Sequence, residues 1–249
     1  MISWEKALNQ VEKNLTSFKD KQYFQIHSAR YAFVLNKISK INPNQSLKIL
    51  DIGCFPDHLS QALKFLGHQI FGIASTHEPL KRKNVFLLNA EKDPFPFNNN
   101  FFDLILLNEL IEHFPQSPLP VLKEALRVTK DKGFLVLTTP NAVRLINRLK
   151  IAVGQNTACS IDHFFQNKGQ GGNLYHRHNR EYNFAEVEFI LKKTNWLVVE
   201  KSFFNGYPPY RKKDKAQALG IKALKWLYFL TTQAYPAFKD SLFFKTQKK

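Results

Sequence analysis

The spacing of hydrophobic and polar positions changes several times along this chain, and each change marks an element. Residues 47–52 (LKILDI) form a short apolar run ended by Gly53, and apolar positions over 59–66 then return at helical spacing until Gly67. A buried strand, a glycine turn and an amphipathic helix make the first half of a βαβ unit. The alternation continues with strands at 68–74 (HQIFGIA) and 85–89, and with 101–107 (FFDLILL), apolar enough for a central parallel strand. A helix over 119–129 turns Val121, Leu122, Ala125 and Leu126 inward, residues 130–133 close it, and a fifth strand occupies 134–138. Upstream, Trp4, Ala7, Leu8, Val11 and Leu15 predict a helix over 4–18, and Tyr31, Val34, Leu35 and Ile38 a second over 27–39. Downstream come helices at 143–153 and 184–193, a sixth strand at 196–203, a helix at 216–232 and a last strand at 241–246. Asn183 precedes the second of these helices as an N-cap, with Glu186 completing a capping box. Strand and helix in alternation predict an α/β chain with a doubly wound sheet.

The chemistry gathers at the predicted strand ends. Asp51 closes the first strand, where it can accept from turn amides or from a ligand ammonium. Gly53 lets the backbone of the turn come close, with its N–H groups directed at a ligand. Asn108 and Glu109 close the fourth strand. Glu109 and His113 are four apart, so in a helix they share a face, and the carboxylate would raise the imidazole's pKa and orient a general base. Residues 154–172 form a polar loop longer than a compact domain usually carries, which suggests a lid. Behind it stand Tyr175, His176, Arg177, His178, Arg180, Glu181 and Tyr182, whose guanidinium forks and imidazoles suit a polyhydroxylated or anionic acceptor. His-x-His lacks third and fourth ligands at the usual spacings, so no metal centre is expected.

The words ILDIGC (49–54), FDLILLNELIEHF (102–114), TTPN (138–141) and HRHNREY (176–182) resemble those of class I S-adenosylmethionine (SAM) dependent methyltransferases. Within that family the likeness leans to O-methyltransferases of bacterial surface-polysaccharide and quinone pathways, and it covers roughly 30–201. The family's D-x-G-x-G-x-G has Phe55 and Asp57 at its second and third glycines here. The resemblance implies a Rossmann-like sheet of seven mostly parallel strands, the last antiparallel against the sixth. It implies one domain over 1–249: an N-terminal helical cap at 1–45, a SAM-binding core at 46–141, an inserted lid at 142–183, and C-terminal helices and strands at 184–249. Cofactor contacts are expected from Asp51, Gly53, Cys54 and Phe55. Ala74 stands where relatives hold the ribose with an acid, while Asn89, Ala90 and Glu91 lie against the adenine and Asn108 and Glu109 at the methionine end. Tyr31, Asn141, Tyr175, Arg177, Arg180 and Tyr182 are expected at the acceptor, and His113, His176 and His178, in that order, are candidate bases.

With 249 residues, 44% of them hydrophobic, the chain can bury one large core. Two cysteines give no disulfide framework. The N-terminus lacks the apolar core of a signal peptide, and no run approaches the ~20 apolar residues of a membrane span. A cytoplasmic protein is expected. The net charge of +16 is uneven, with eleven Lys/Arg against two Asp/Glu over 201–249. Such a basic region attracts anionic partners. The helix at 216–232 carries more apolar surface than one helix readily leaves wet; it is expected chiefly to pack on the domain, with membrane or a second chain as further partners. The reaction expected is methyl transfer from SAM to a hydroxyl of a saccharide or other small acceptor, including a lipid-linked one, with peripheral membrane contact and a homodimer both compatible. Two rival readings stand beside it. Phe55, Asp57 and Ala74 suit a catalytically impaired binding module, and the charge suits an RNA methyltransferase, although no Asn-Pro-Pro-Tyr type segment follows the fourth strand.

Overall fold

A computed structural model of the chain describes residues 2–43, 45–75, 83–158, 160–162, 175, 177–207 and 219–249. One seven-stranded sheet has the order β3-β2-β1-β4-β5-β7-β6. Its strands are β1 (Lys48–Ile52), β2 (Gln69–Ala74), β3 (Val85–Leu87), β4 (Phe102–Asn108), β5 (Thr129–Pro140), β6 (Trp196–Phe204) and β7 (Ser241–Lys248). β1 to β5 are parallel, and β7 runs antiparallel between β5 and β6. This is the Rossmann-like arrangement that the alternating pattern implied.

Seven helices accompany the sheet among the described residues: α1 (Trp4–Asn14), α2 (Phe18–Ile38), α3 (His58–Phe65), α4 (Leu119–Val128), α5 (Leu145–Ala152), α6 (Phe184–Lys193) and α7 (Leu219–Ala234). Successive strand residues face opposite sides, so the sheet divides the core in two. Ile49, Leu104, Leu106 and Val136 pack with α1, α2 and α3. Leu50, Ile52, Ile105, Leu107, Leu135 and Leu137 pack with α4 and α6 on the other side.

Local chemistry sets the boundaries. α3 ends in a Schellman motif: Gly67 (φ 90°) donates to Lys64 O and His68 to Leu63 O. The capping box of α6 is complete, Asn183 accepting from Glu186 N at 3.0 Å and Glu186 from Asn183 N at 2.8 Å. At the N-terminus the expected helices shift. α1 stops at Asn14, and α2 starts at Phe18 rather than at residue 27, because Ser17 caps it by accepting from Asp20 N. β5 starts at Thr129, not 134. Thr129 already pairs with Phe102, and the register jumps between Phe102 and Leu104, so residues 130–133 bulge out of the strand instead of closing the helix.

The C-terminal helix departs most from expectation. Thr232 is its one buried residue among those described, and Leu224, Trp226, Leu227 and Leu230 are exposed rather than packed into the core. The expected positions 216–218 lie outside the described residues. Among the described residues no helix is long and apolar enough to cross a membrane.

The capping box gives a direct check on this local reading. Asn183→Ala is expected to cost about 1 kcal/mol, lowering the melting temperature by roughly 2–4 °C in a chain of this size. Thermal unfolding followed by circular dichroism measures it.

Candidate active site

An open cleft of about 520 Å³, its solvent-filled mouth included, lies at the carboxyl ends of β1 and β4 under α2. Ligands of open α/β sheets bind at this edge. Tyr23, Arg30, Tyr31, Asp51, Gly53, Phe55, Asn108 and Glu109 line it. The structure thus brings together six of the sequence-predicted positions, along with Tyr23 and Arg30 from the long second helix.

Asp51 is buried at the end of β1 and accepts from Ser60 Oγ at 2.6 Å. Burial pushes its carboxyl up to about 6, against the lowering pull of Ser60. Gly53 has φ 78°, and a Cβ there would come within 2.9 Å of the Leu110 side chain. Its amide and that of Cys54 do not face a ligand as expected, because both donate to Ile73 O. The turn is fastened to β2, and its glycine serves conformation and clearance. Cys54 is buried against Gly72, where a Cβ would meet its sulfur at 2.6 Å.

Across the cleft Glu109 takes a left-handed conformation (φ 49°) and pairs with Arg30 at 3.1 Å. Burial pulls the Arg30 pKa down most strongly, but the Glu109 charge together with Tyr31, Tyr23 and Tyr207 holds the guanidinium above its ordinary value. Glu109 Oε1 and Asn108 Nδ2 are buried without a hydrogen-bond partner. An acceptor and a donor thus lie unsatisfied beside a second carboxyl, Asp51. That donor set fits the zwitterionic amino-acid end of SAM, with Asp51 or Glu109 for the ammonium and Asn108 for the carboxylate.

The ends of β2 and β3 offer less. Ala74 is buried, so no acid reaches a ribose from it; Glu78, four residues on, lies outside the described residues. Asn89 donates to Tyr175 Oη at 2.9 Å, and Tyr175 donates to Glu91 Oε2 at 3.1 Å. Glu91 Oε1 accepts from the amides of Gln116 and Ser117, and Ala90 packs against the core. These bonds tie Tyr175 to the segment that follows β3.

Beyond Glu109 the chain makes only a short 3-10 turn, Ile111–His113. Glu109 and His113 therefore do not share a helical face. The carboxyl beside His113 is Glu112, 3.9 Å from Nε2. Glu112 is fully buried, accepts from Thr139 Oγ1 at 2.9 Å, and leaves Oε1 unpartnered. Burial first, and then the Glu109 charge, push its pKa well above the ordinary carboxyl range.

The His113 and His178 rings meet edge to face at 4.9 Å. Nδ1 of His113 lies 3.1 Å from Arg177 O, and Nδ1 of His178 lies 3.1 Å from Glu181 Oε1. Burial works against the Glu181 charge, but the hydrogen bonds of His178 and Arg144 hold its pKa below the ordinary value. Glu112, His113 and His178 also bring a carboxylate and two imidazoles within 4.8 Å of one another, the third metal-type donor that linear spacing did not reveal.

The other residues expected at the acceptor make the following contacts within the chain. Asn141 is buried and clamps Ala237 O and Lys239 O through its amide. Tyr182 is buried in the core. Arg180 is exposed and pairs with Glu186 at 2.6 Å. Tyr31 lies 3.4 Å from His58 through its hydroxyl. Arg177 donates to Asn179 Oδ1 at 2.9 Å, close behind His113. His176 lies outside the described residues. Sequence reasoning named Thr139 only as part of the TTPN segment, and passed over Tyr207 and the buried His58. Tyr207 comes within 5.6 Å of His27 beside the cleft, with no local motif to mark it.

The seven-stranded sheet with this cleft is the fold of the SAM-dependent methyltransferases it superposes on. The sequence profile of the methyltransferase domain matches residues 23–201, and the chain belongs to that family, whose cofactor is SAM. Among curated relatives, a ubiquinone biosynthesis O-methyltransferase of Haemophilus ducreyi is 30% identical over 126 residues, 41% of this chain and 49% of that protein. That of Vibrio campbellii is 25% identical over 131 residues, 49% and 54%. The chain spans about half the length of these relatives. A SAM dependent methyltransferase from Archaeoglobus fulgidus superposes with TM-score 0.60 at 14% identity, covering 93% of this chain and all of that one. PH0226 of Pyrococcus horikoshii gives 0.58 at 15%, with 89% and 91% covered.

Asp51 provides the test of the cleft. Its folded pKa of about 6 lies above the 3.8 of an unperturbed carboxyl. Its ionisation therefore destabilises the empty fold, and that cost grows as pH rises through the window between the two values. Asp51→Asn is expected to raise the melting temperature of the empty protein at pH 8, change it little at pH 4, and abolish the further rise that SAM brings. Thermal shift at both pH values, with and without SAM, measures this.

Proposed function

We propose that the chain transfers the methyl group of SAM to a hydroxyl of a saccharide or other small-molecule acceptor. The observation that carries this is the pair His113 and His178, set edge to face beside buried Glu112 just beyond the Asn108–Glu109 end of the cleft. The O-methyltransferase names of the curated relatives support the choice of oxygen. SAM supplies an already electrophilic methyl, so alignment is the chain's first task, worth as much as ~7–11 kcal/mol of barrier.

Its second task is the hydroxyl proton. A carbonyl oxygen only accepts, so His113 Nδ1 carries the hydrogen that meets Arg177 O. Glu181 fixes His178 in the same tautomer. In their neutral forms both rings then keep the lone pair on Nε2, where a base needs it. Glu112, favouring its neutral form, can donate through Oε1 to an acceptor oxygen without adding negative charge. Arg177, held by Asn179, is assigned to the acceptor.

Kinetics with a responsive acceptor tests the roles. His113→Ala is expected to lower kcat by about 10²–10⁴-fold with SAM affinity unchanged, whereas Arg177→Ala is expected to raise the acceptor KM. Arg180→Ala, at an exposed pair, should do neither. Full turnover in His113→Ala with loss in His178→Ala would move the base to the lid. Turnover indifferent to both would end the imidazole-base reading, and SAM binding with no transfer to any hydroxyl would leave a binding module.

A further inference from the structure

Helices α5 and α7 adjoin. The Ile146 backbone N–H on α5 donates to the Tyr228 hydroxyl on α7, and the Arg148 guanidinium lies 5.3 Å over the ring of Phe238, just beyond α7. Along α7, Leu224, Leu227 and Leu230 recur at every third position with Trp226 among them, and they are 67%, 61%, 41% and 53% exposed. On α5, Ile146 and Leu149 are 42% and 52% exposed. Single exposed hydrophobic residues are ordinary, but six large ones on two adjoining helices mark an interaction surface.

Within the two segments themselves the charge is of one sign. Residues 141–158 and 219–239 contain no Asp or Glu, and they include Arg148, Lys150, Lys222 and Lys225. A second copy would bring the same cations against themselves on a chain already at +16. Nucleic acid would match the charge but leave the leucines without a partner. A surface that offers phosphates above an apolar layer matches both.

We infer that α5 and α7 dock on a membrane surface containing anionic lipids. The leucines and Trp226 enter the boundary between headgroups and acyl chains, and the lysines and Arg148 face the phosphates. α7 lies along the surface, since its 16 residues fall short of the ~20 a span requires. Arg144, at the N-cap of α5, holds Glu181 at 2.7 Å, and Glu181 holds His178. Docking therefore sets the proposed acceptor side next to the bilayer, a consequence that rests on the methyl-transfer reading, whereas docking itself does not.

Flotation of the full chain with phosphatidylcholine vesicles, with and without phosphatidylglycerol, is the test. The protein is expected to float with the anionic vesicles at low salt, to float less as salt rises, and to stay down with the neutral ones. Its tryptophan emission should shift to the blue with anionic vesicles, and Trp226→Phe should remove that shift. The double variant Leu227→Asp, Leu230→Asp is expected to lose about tenfold or more in vesicle partition, with its circular dichroism and its stabilisation by SAM unchanged. Protein left at the bottom with anionic vesicles at low salt would overturn the inference. So would undiminished flotation of the double variant, or a lipid-free dimer in which Trp226 is already shielded from an aqueous quencher.

Discussion

The Arg30–Glu109 ion pair is the constraint on which the cleft depends. It joins the long second helix to the residue that leaves the central strand β4, and both side chains are almost wholly withdrawn from water. A buried pair of this kind adds little net stability by itself, yet removing one partner typically costs about 3–5 kcal/mol, because the other charge is stranded. The pair therefore acts chiefly as a lock. It holds α2 across the carboxyl edge of the sheet, so that Tyr23 and Tyr31 roof the space between Asp51 and Glu109. The left-handed backbone at Glu109 belongs to the same device, turning the chain out of β4 while keeping its carboxylate over the cleft.

The electrostatics that follow oppose the character of the whole molecule. The chain carries +16, but Asp51, Glu109 and Glu112 converge on the site with Arg30 as the cation that pairs with one of them. Buried carboxyls in excess of cations are costly and drift towards their neutral forms, as Asp51 and Glu112 both do. A ligand bearing an ammonium and a sulfonium relieves that cost. Part of the positive charge lies around α5 and α7, where it accompanies exposed leucines rather than the cleft.

Much of the fold was legible because its causes are local. Uninterrupted apolar runs at β1 and β4, Gly67 after α3, and Asn183 with Glu186 at α6 each write their outcome within a few residues. Legibility failed where the signal was weak or remote. The start of α2 rests on a single serine cap, and the early start of β5 on a pairing with Phe102 that lies 27 residues away in the chain.

The sequence by itself determined the alternation of strands and helices, the acid and glycine at the end of β1, and the run of imidazoles and guanidinium groups over 176–180. Those follow from period and residue type alone. Tertiary structure decided which of these side chains face one another. It made Glu112 rather than Glu109 the neighbour of His113, because one residue in the left-handed region broke the helix that would have paired them. It engaged Asn89, Glu91 and Asn141 in holding segments together, because buried polar groups take whatever partners folding brings within reach. It also left Leu224, Leu227 and Leu230 of α7 in the open, since burial depends on what packs against a helix, and no periodicity within the helix records that.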